Sequence, residues 1–141
     1  MTDLTASANE AAISWSATMG LIPGYGHDNR PELLPGRRDL LVRLWSAAME
    51  ETLEQTGFSV SAVMTDSLVL YPESAGCPVG GEIAVTIAGS SNPARVGTDQ
   101  FDAFSAAVRR TVRRVQEGME QTSVRIEFTR IDRSLYSRLD E

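Results

Sequence analysis

The chain has 141 residues, 42% hydrophobic and 23% charged, the size and balance of one globular domain that can bury a core without metal or disulfide support. All 13 basic residues are arginine, and His27 and Cys77 are the single histidine and the single cysteine. A lysine Schiff base, a P-loop lysine, an intrachain disulfide and a zinc site of four cysteines or of three histidines are therefore excluded within one chain.

A net charge of −6 opposes a nucleic-acid-binding surface, which needs positive potential along one face. No apolar run reaches the length of a membrane span, and the polar start of the chain lacks the basic and apolar regions of a signal peptide. The expectation is a cytoplasmic protein with no nucleic-acid or membrane partner, and one unpaired cysteine agrees with a reducing compartment.

Residues 1–10 read as a flexible arm ahead of a single domain over 11–131, with 132–141 as a C-terminal tail. From Ile13 the residues Trp15, Ala17, Met19 and Leu21 alternate with Ser14, Ser16, Thr18 and Gly20, the period of a strand with one buried face. Residues 22–36 carry Pro23, Gly24, Gly26, Pro31, Pro35 and Gly36, too broken for a regular element and long enough to act as a lid. Arg37 to Thr56 then reads as an amphipathic helix through Leu41, Leu44, Trp45, Ala48, Met49 and Leu53, closed by Gly57 in a left-handed cap.

A second strand, Phe58 to Tyr71, ends at Pro72, and a Gly- and Pro-rich turn leads to a third strand with Ile83, Val85 and Ile87 facing inward. After a loop over 89–97, Thr98 or Asp99 can cap a second helix, whose Phe101, Phe104, Val108, Val112, Val115 and Met119 recur at steps of three and four. Val124, Ile126 and Phe128 alternate with Arg125, Glu127 and Thr129 in a fourth strand.

The order β-α-β-β-α-β is the ferredoxin-like α+β pattern: a four-stranded antiparallel sheet in the order 4-1-3-2, with both helices on one face. That topology places the exit of the first strand, the hairpin between the second and third, and the junction of the second helix with the fourth strand at one end of the sheet. Tyr25, His27 and Asp28 thereby approach Tyr71, Glu73, Cys77 and Glu82 across about fifty residues of sequence. Tyr25, His27 and Glu82 are the candidate acid–base groups, and Tyr71, Cys77, Arg125 and Glu127 the candidate substrate-binding groups.

Each of these residues also has an ordinary structural reading: a turn histidine, a packing cysteine, a Glu82–Arg ion pair, a hairpin made by Gly80 and Gly81. Arg109, Arg110, Arg113 and Arg114 form stripes on the outer face of the second helix, explained by ion pairs with nearby acids such as Glu117 and Glu120. The open sheet face is small and polar and lacks the aromatic residues that stack bases in RNA-binding domains of this topology.

Two functions follow. One is a small enzyme of the isomerase, cyclase or lyase type, working by acid–base chemistry on a small polar metabolite with no tightly bound organic cofactor and no metal. The other is a non-catalytic module that binds a ligand or assembles through its open sheet face or arginine-bearing helix. A homo-oligomer, a dimer, is expected in either case.

Overall fold

The computed structural model describes residues 8–23, 32–135 and 139. Four strands and two helices follow in the expected order: β1 (Ala8–Gly20), α1 (Leu34–Thr56), β2 (Val63–Val69), β3 (Glu82–Ser90), α2 (Phe101–Gly118) and β4 (Arg125–Leu135). The sheet runs β2-β3-β1-β4 and every pairing is antiparallel, so the architecture is the α+β sandwich expected from the sequence.

The apolar alternation dictates which face is covered. Trp15, Ala17, Met19 and Leu21 of β1 and Val85 and Ile87 of β3 are buried, and they meet Phe104, Val108, Val112 and Val115 of α2 and Leu41, Trp45 and Ala48 of α1. Burying each large side chain contributes about 1.5–3 kcal/mol before entropy is counted. The Trp15 and Trp45 rings stack with centroids 5.8 Å apart, fastening α1 to the middle of the sheet. Between the helices Thr52 and Thr111 are both buried, and their hydroxyls lie 2.7 Å apart.

Several boundaries differ from expectation. α1 starts at Leu34, three residues before Arg37, because Pro35 in the first turn needs no N–H partner and its fixed φ suits a helix start. Gly57 caps its other end at φ 80°, as the sequence indicates. β2 is shorter than 58–71, and the backbone carbonyl of Ser61 instead lies against Gly89 of β3.

Strands β1 and β4 extend outward together. β1 begins at Ala8, inside the expected arm, and β4 continues to Leu135, past the expected domain end at 131. Ala8 is opposite Leu135 and Ala12 opposite Ile131, with register shifts between. Each extension supplies the other's hydrogen-bond partners, which neither stretch reveals when read alone.

α2 is preceded by a short turn, Thr98–Gln100, whose Gln100 side chain accepts a hydrogen bond from the Gly97 N–H at 3.1 Å. Its arginine stripes form ion pairs, as expected, and some of these reach beyond their own helix. Arg113 pairs with Glu117 one turn on, whereas Arg110 and Arg114 both reach Glu51 on α1, at 3.4 and 2.5 Å.

The hydrogen bond and charge of Arg114, assisted by Arg110, hold the Glu51 carboxyl below its usual range. A carboxyl lowered in the folded state adds stability that is present at neutral pH and disappears as pH falls through the lowered value. Wild type should therefore exceed Glu51→Gln in urea midpoint at pH 7, and the gap should close in acid and shrink in high salt. Urea titrations at two pH values and two ionic strengths check this.

Candidate functional site

The exit end of β1 is where the topology brings distant residues together. On the open sheet face, β1 contributes Thr18 and Gly20, β3 contributes Glu82 and Ala84, and β2 and the residues after it contribute Val69 and Tyr71. Gln121, Thr122 and Ser123, between α2 and β4, close the remaining side. Together they bound a cavity of about 230 Å³.

The strand registers force this meeting. Gly20 is opposite Ala84, and Val69 is opposite Glu82, so side chains of one parity share the face. Tyr71 Oη donates to Glu82 Oε2 at 3.1 Å, an 11-residue loop closure across the hairpin. A carboxylate held by a phenol has one orientation fixed and a second oxygen left for a ligand. Glu82 thus has Tyr71 as its partner, and among the described residues no arginine pairs with it, against one of the expected structural readings.

Gln121 is the residue that sequence reasoning missed. α2 ends in a reversal where the Gln121 N–H donates to the Gln116 carbonyl at 3.0 Å and Glu120 takes a left-handed φ of 56°. This is the arrangement usually made by glycine at that position. It turns the chain sharply enough for the Gln121 amide to donate to the Ile22 carbonyl at 3.1 Å while its oxygen faces Gly20. Arg37 braces the same corner, donating to the Leu21 and Met119 carbonyls at 2.7 and 2.8 Å. A Cβ on Gly20 would lie 3.0 Å from Gln121 Oε1 and 3.2 Å from Glu82 Oε1, so the glycine keeps the gap between these two side chains open.

A row of hydroxyls leads away from the cavity across three strands. Thr18 and Thr86 lie 3.1 Å apart, and Thr86 and Ser67 2.5 Å apart. The other expected binding residues are elsewhere. Arg125 and Glu127 pair with each other at 2.8 Å, two residues apart on β4 and well exposed. Glu127 also borders a separate hollow on the same sheet face. Cys77 is buried in the hairpin, with Sγ 4.0 Å from the Val69 carbonyl, as a packing residue would be. Tyr25, His27 and Asp28 lie outside the described residues. Among the described residues, no group of three or more histidine, cysteine, aspartate or glutamate side chains is arranged to hold a metal ion, and no helix is long and apolar enough to cross a membrane.

Among the described residues the cavity therefore offers one carboxylate, one phenol, one amide and several hydroxyls, and no arginine. Fold and site together define a small α+β domain with an acidic pocket at one sheet end, suited to a small cationic or zwitterionic molecule. Residues 11–137 match the family model described as SAM lyase, and the chain belongs to that family: it is a lyase acting on a small metabolite, S-adenosylmethionine. Among solved structures the chain is similar to a phage SAM lyase in its apo state, at 17% identity and a TM-score of 0.50, covering 94% of this chain and 91% of that one. This likeness establishes a shared fold. A de novo designed protein is also similar, at 14% identity and a TM-score of 0.41, covering 85% of this chain and 97% of the design. No curated protein matches the chain.

Proposed function

We propose that the chain cleaves the bond between the sulfonium sulfur and the γ-carbon of S-adenosylmethionine by displacement with the substrate's own carboxylate, at the cavity containing Glu82. The observation that carries this reading is the carboxylate at the cavity: Glu82 is held by Tyr71, and among the described residues no cationic side chain lines the space. A cationic amino acid fits that charge, and among the described residues no arginine is placed to pair with the substrate carboxylate and blunt its attack.

The step balances without an added reagent. A carboxylate oxygen bonds to the γ-carbon and closes a five-membered lactone. The electron pair of the broken carbon–sulfur bond passes to sulfur, releasing neutral 5′-methylthioadenosine. No proton moves and nothing is oxidised or reduced. Because a carboxylate and a sulfonium neutralise each other along the path, moving them out of water favours the reaction, and the apolar walls formed by Val69 and Ala84 serve that end.

Glu82 acts by position. Its free oxygen accepts from the substrate's α-ammonium, which stays charged throughout, and its negative charge turns the substrate carboxylate away from itself and toward the γ-carbon. Holding a flexible chain in its ring-closing conformer is the kind of orientation that contributes most to an intramolecular reaction. At about 230 Å³ the cavity is smaller than a typical site for a drug-sized molecule, so it takes the amino-acid arm and the sulfonium while the adenosyl group extends beyond it. This role for Glu82 replaces the proton transfer expected from the sequence.

Gly20→Ala tests the geometry. The added methyl intrudes between Glu82 and Gln121, whose ends can shift by a few tenths of an ångström. The expected result is a loss of about tenfold in kcat/KM with stability changed by less than about 1 kcal/mol. The function itself is tested by incubating the purified chain with S-adenosylmethionine and no methyl acceptor. Release of 5′-methylthioadenosine supports it, whereas S-adenosylhomocysteine as product, or no consumption, overturns it.

A further inference from the structure

At the opposite end of the sheet lies a larger cavity, about 540 Å³, that the proposed reaction does not use. It forms where the C-terminus of α1 and its Gly57 cap meet the segment leading to β2 and the turn after β3. Its size falls within the range of small-molecule sites, whereas the cavity beside Glu82 falls below it.

The chemistry of the lining is specific. Among the described residues that line it, Arg95 is the one charged group and none is a carboxylate. Among the described residues the Arg95 guanidinium has no ion-pair partner, although the chain carries a net charge of −6 and supplies acids to Arg38, Arg110, Arg113, Arg114 and Arg125. The hydroxyls of Ser59, Ser61 and Ser90 border the same space and likewise have no hydrogen-bond partner among the described residues. Phe58, Leu53 and Val96 add apolar wall.

The turn that delivers Arg95 is firmly built. Asn92 accepts the Ala94 N–H with its side-chain oxygen at 3.0 Å, and its carbonyl accepts the N–H groups of Arg95 and Val96 at 2.9 Å each. The Asn92-Pro93 pair, ordinary turn chemistry in the sequence, thus fixes the backbone that carries the guanidinium. An arginine on a fixed turn, hydroxyl donors and an apolar wall form a recognised combination for an oxyanion attached to an apolar body.

We propose that this second cavity binds a small organic oxyanion, a phosphate or carboxylate carried on an apolar group, with Arg95 as the principal ligand. It is distinct from the cavity beside Glu82 and independent of the reaction proposed there.

The test is a titration of the full chain, followed by backbone amide NMR, with phenyl phosphate, phenol and inorganic phosphate as probes. Phenyl phosphate should saturate the protein and shift resonances within 57–61 and 90–97, more tightly than phenol, and Arg95→Gln should weaken it about tenfold or more. Because the Arg95 side chain is exposed and unpaired, that variant should keep its fold. Glu82→Gln should bind phenyl phosphate as wild type does, which separates this site from the catalytic one. Shifts that never saturate or spread over the whole chain, equal binding of phenol and phenyl phosphate, or unchanged affinity in Arg95→Gln would overturn the proposal.

Discussion

Glu82→Gln is expected to lower kcat/KM for S-adenosylmethionine about 10²-fold while the protein stays folded. Glutamine has nearly the same shape and can still accept from Tyr71, so the variant removes charge and little else. Without the charge, the α-ammonium loses its counterion and the substrate carboxylate is no longer turned toward the γ-carbon, so KM should rise and kcat should fall together. Glu82 is half-buried at the rim, and the stability change should remain below about 1 kcal/mol. Tyr71→Phe removes the phenol that fixes the carboxylate but keeps the charge, so its loss should be smaller than that of Glu82→Gln. Steady-state rates on both variants, with melting curves as the fold control, provide the check. An unimpaired Glu82→Gln enzyme would remove Glu82 from the site.

The second large effect is on stability. A Cβ on Gly89 would lie 2.4 Å from the Ser61 carbonyl oxygen, a backbone atom, and 3.2 Å from two atoms of the Trp15 ring. Neither neighbour is a flexible side-chain end. Relief requires the segment before β2 to move off the sheet or Trp15 to leave its stack on Trp45. Gly89→Ala should therefore cost about 2–3 kcal/mol, lower Tm by about 8 °C and change the tryptophan emission. Gly36, in the first turn of α1, has no heavy atom within 4 Å of an added Cβ. Gly36→Ala is the control and should be neutral or stabilising by about 0.4–1 kcal/mol.

Much of the fold was legible because its signals are local and periodic. Phe101, Phe104, Val108, Val112, Val115 and Met119 are all buried, as their spacing requires. The alternation in β1, β3 and β4, together with the handedness of the crossovers, leads to the observed strand order. The same topology accounts for Tyr71 meeting Glu82. Other features depend on pairings between distant segments, which a single stretch does not encode. The outer ends of β1 and β4 are strands because each pairs with the other. Arg110 and Arg114 face Glu51 because α1 packs beside α2, although their own helix offers nearer acids. Gln121 enters the site through a left-handed Glu120, a conformation that a glutamate does not announce. The open gap at Gly20 depends on side chains from two other elements.

The most direct measurement follows the atoms of the four-carbon product when the purified chain turns over S-adenosylmethionine labelled with oxygen-18 in its carboxylate, in deuterated water. Mass spectrometry should find 5′-methylthioadenosine and homoserine lactone in equal amounts, with the label retained in the lactone and no deuterium bound to its carbons. An unsaturated amino acid in place of the lactone would show that a β-proton is removed by a base, and would contradict displacement by the substrate's own carboxylate.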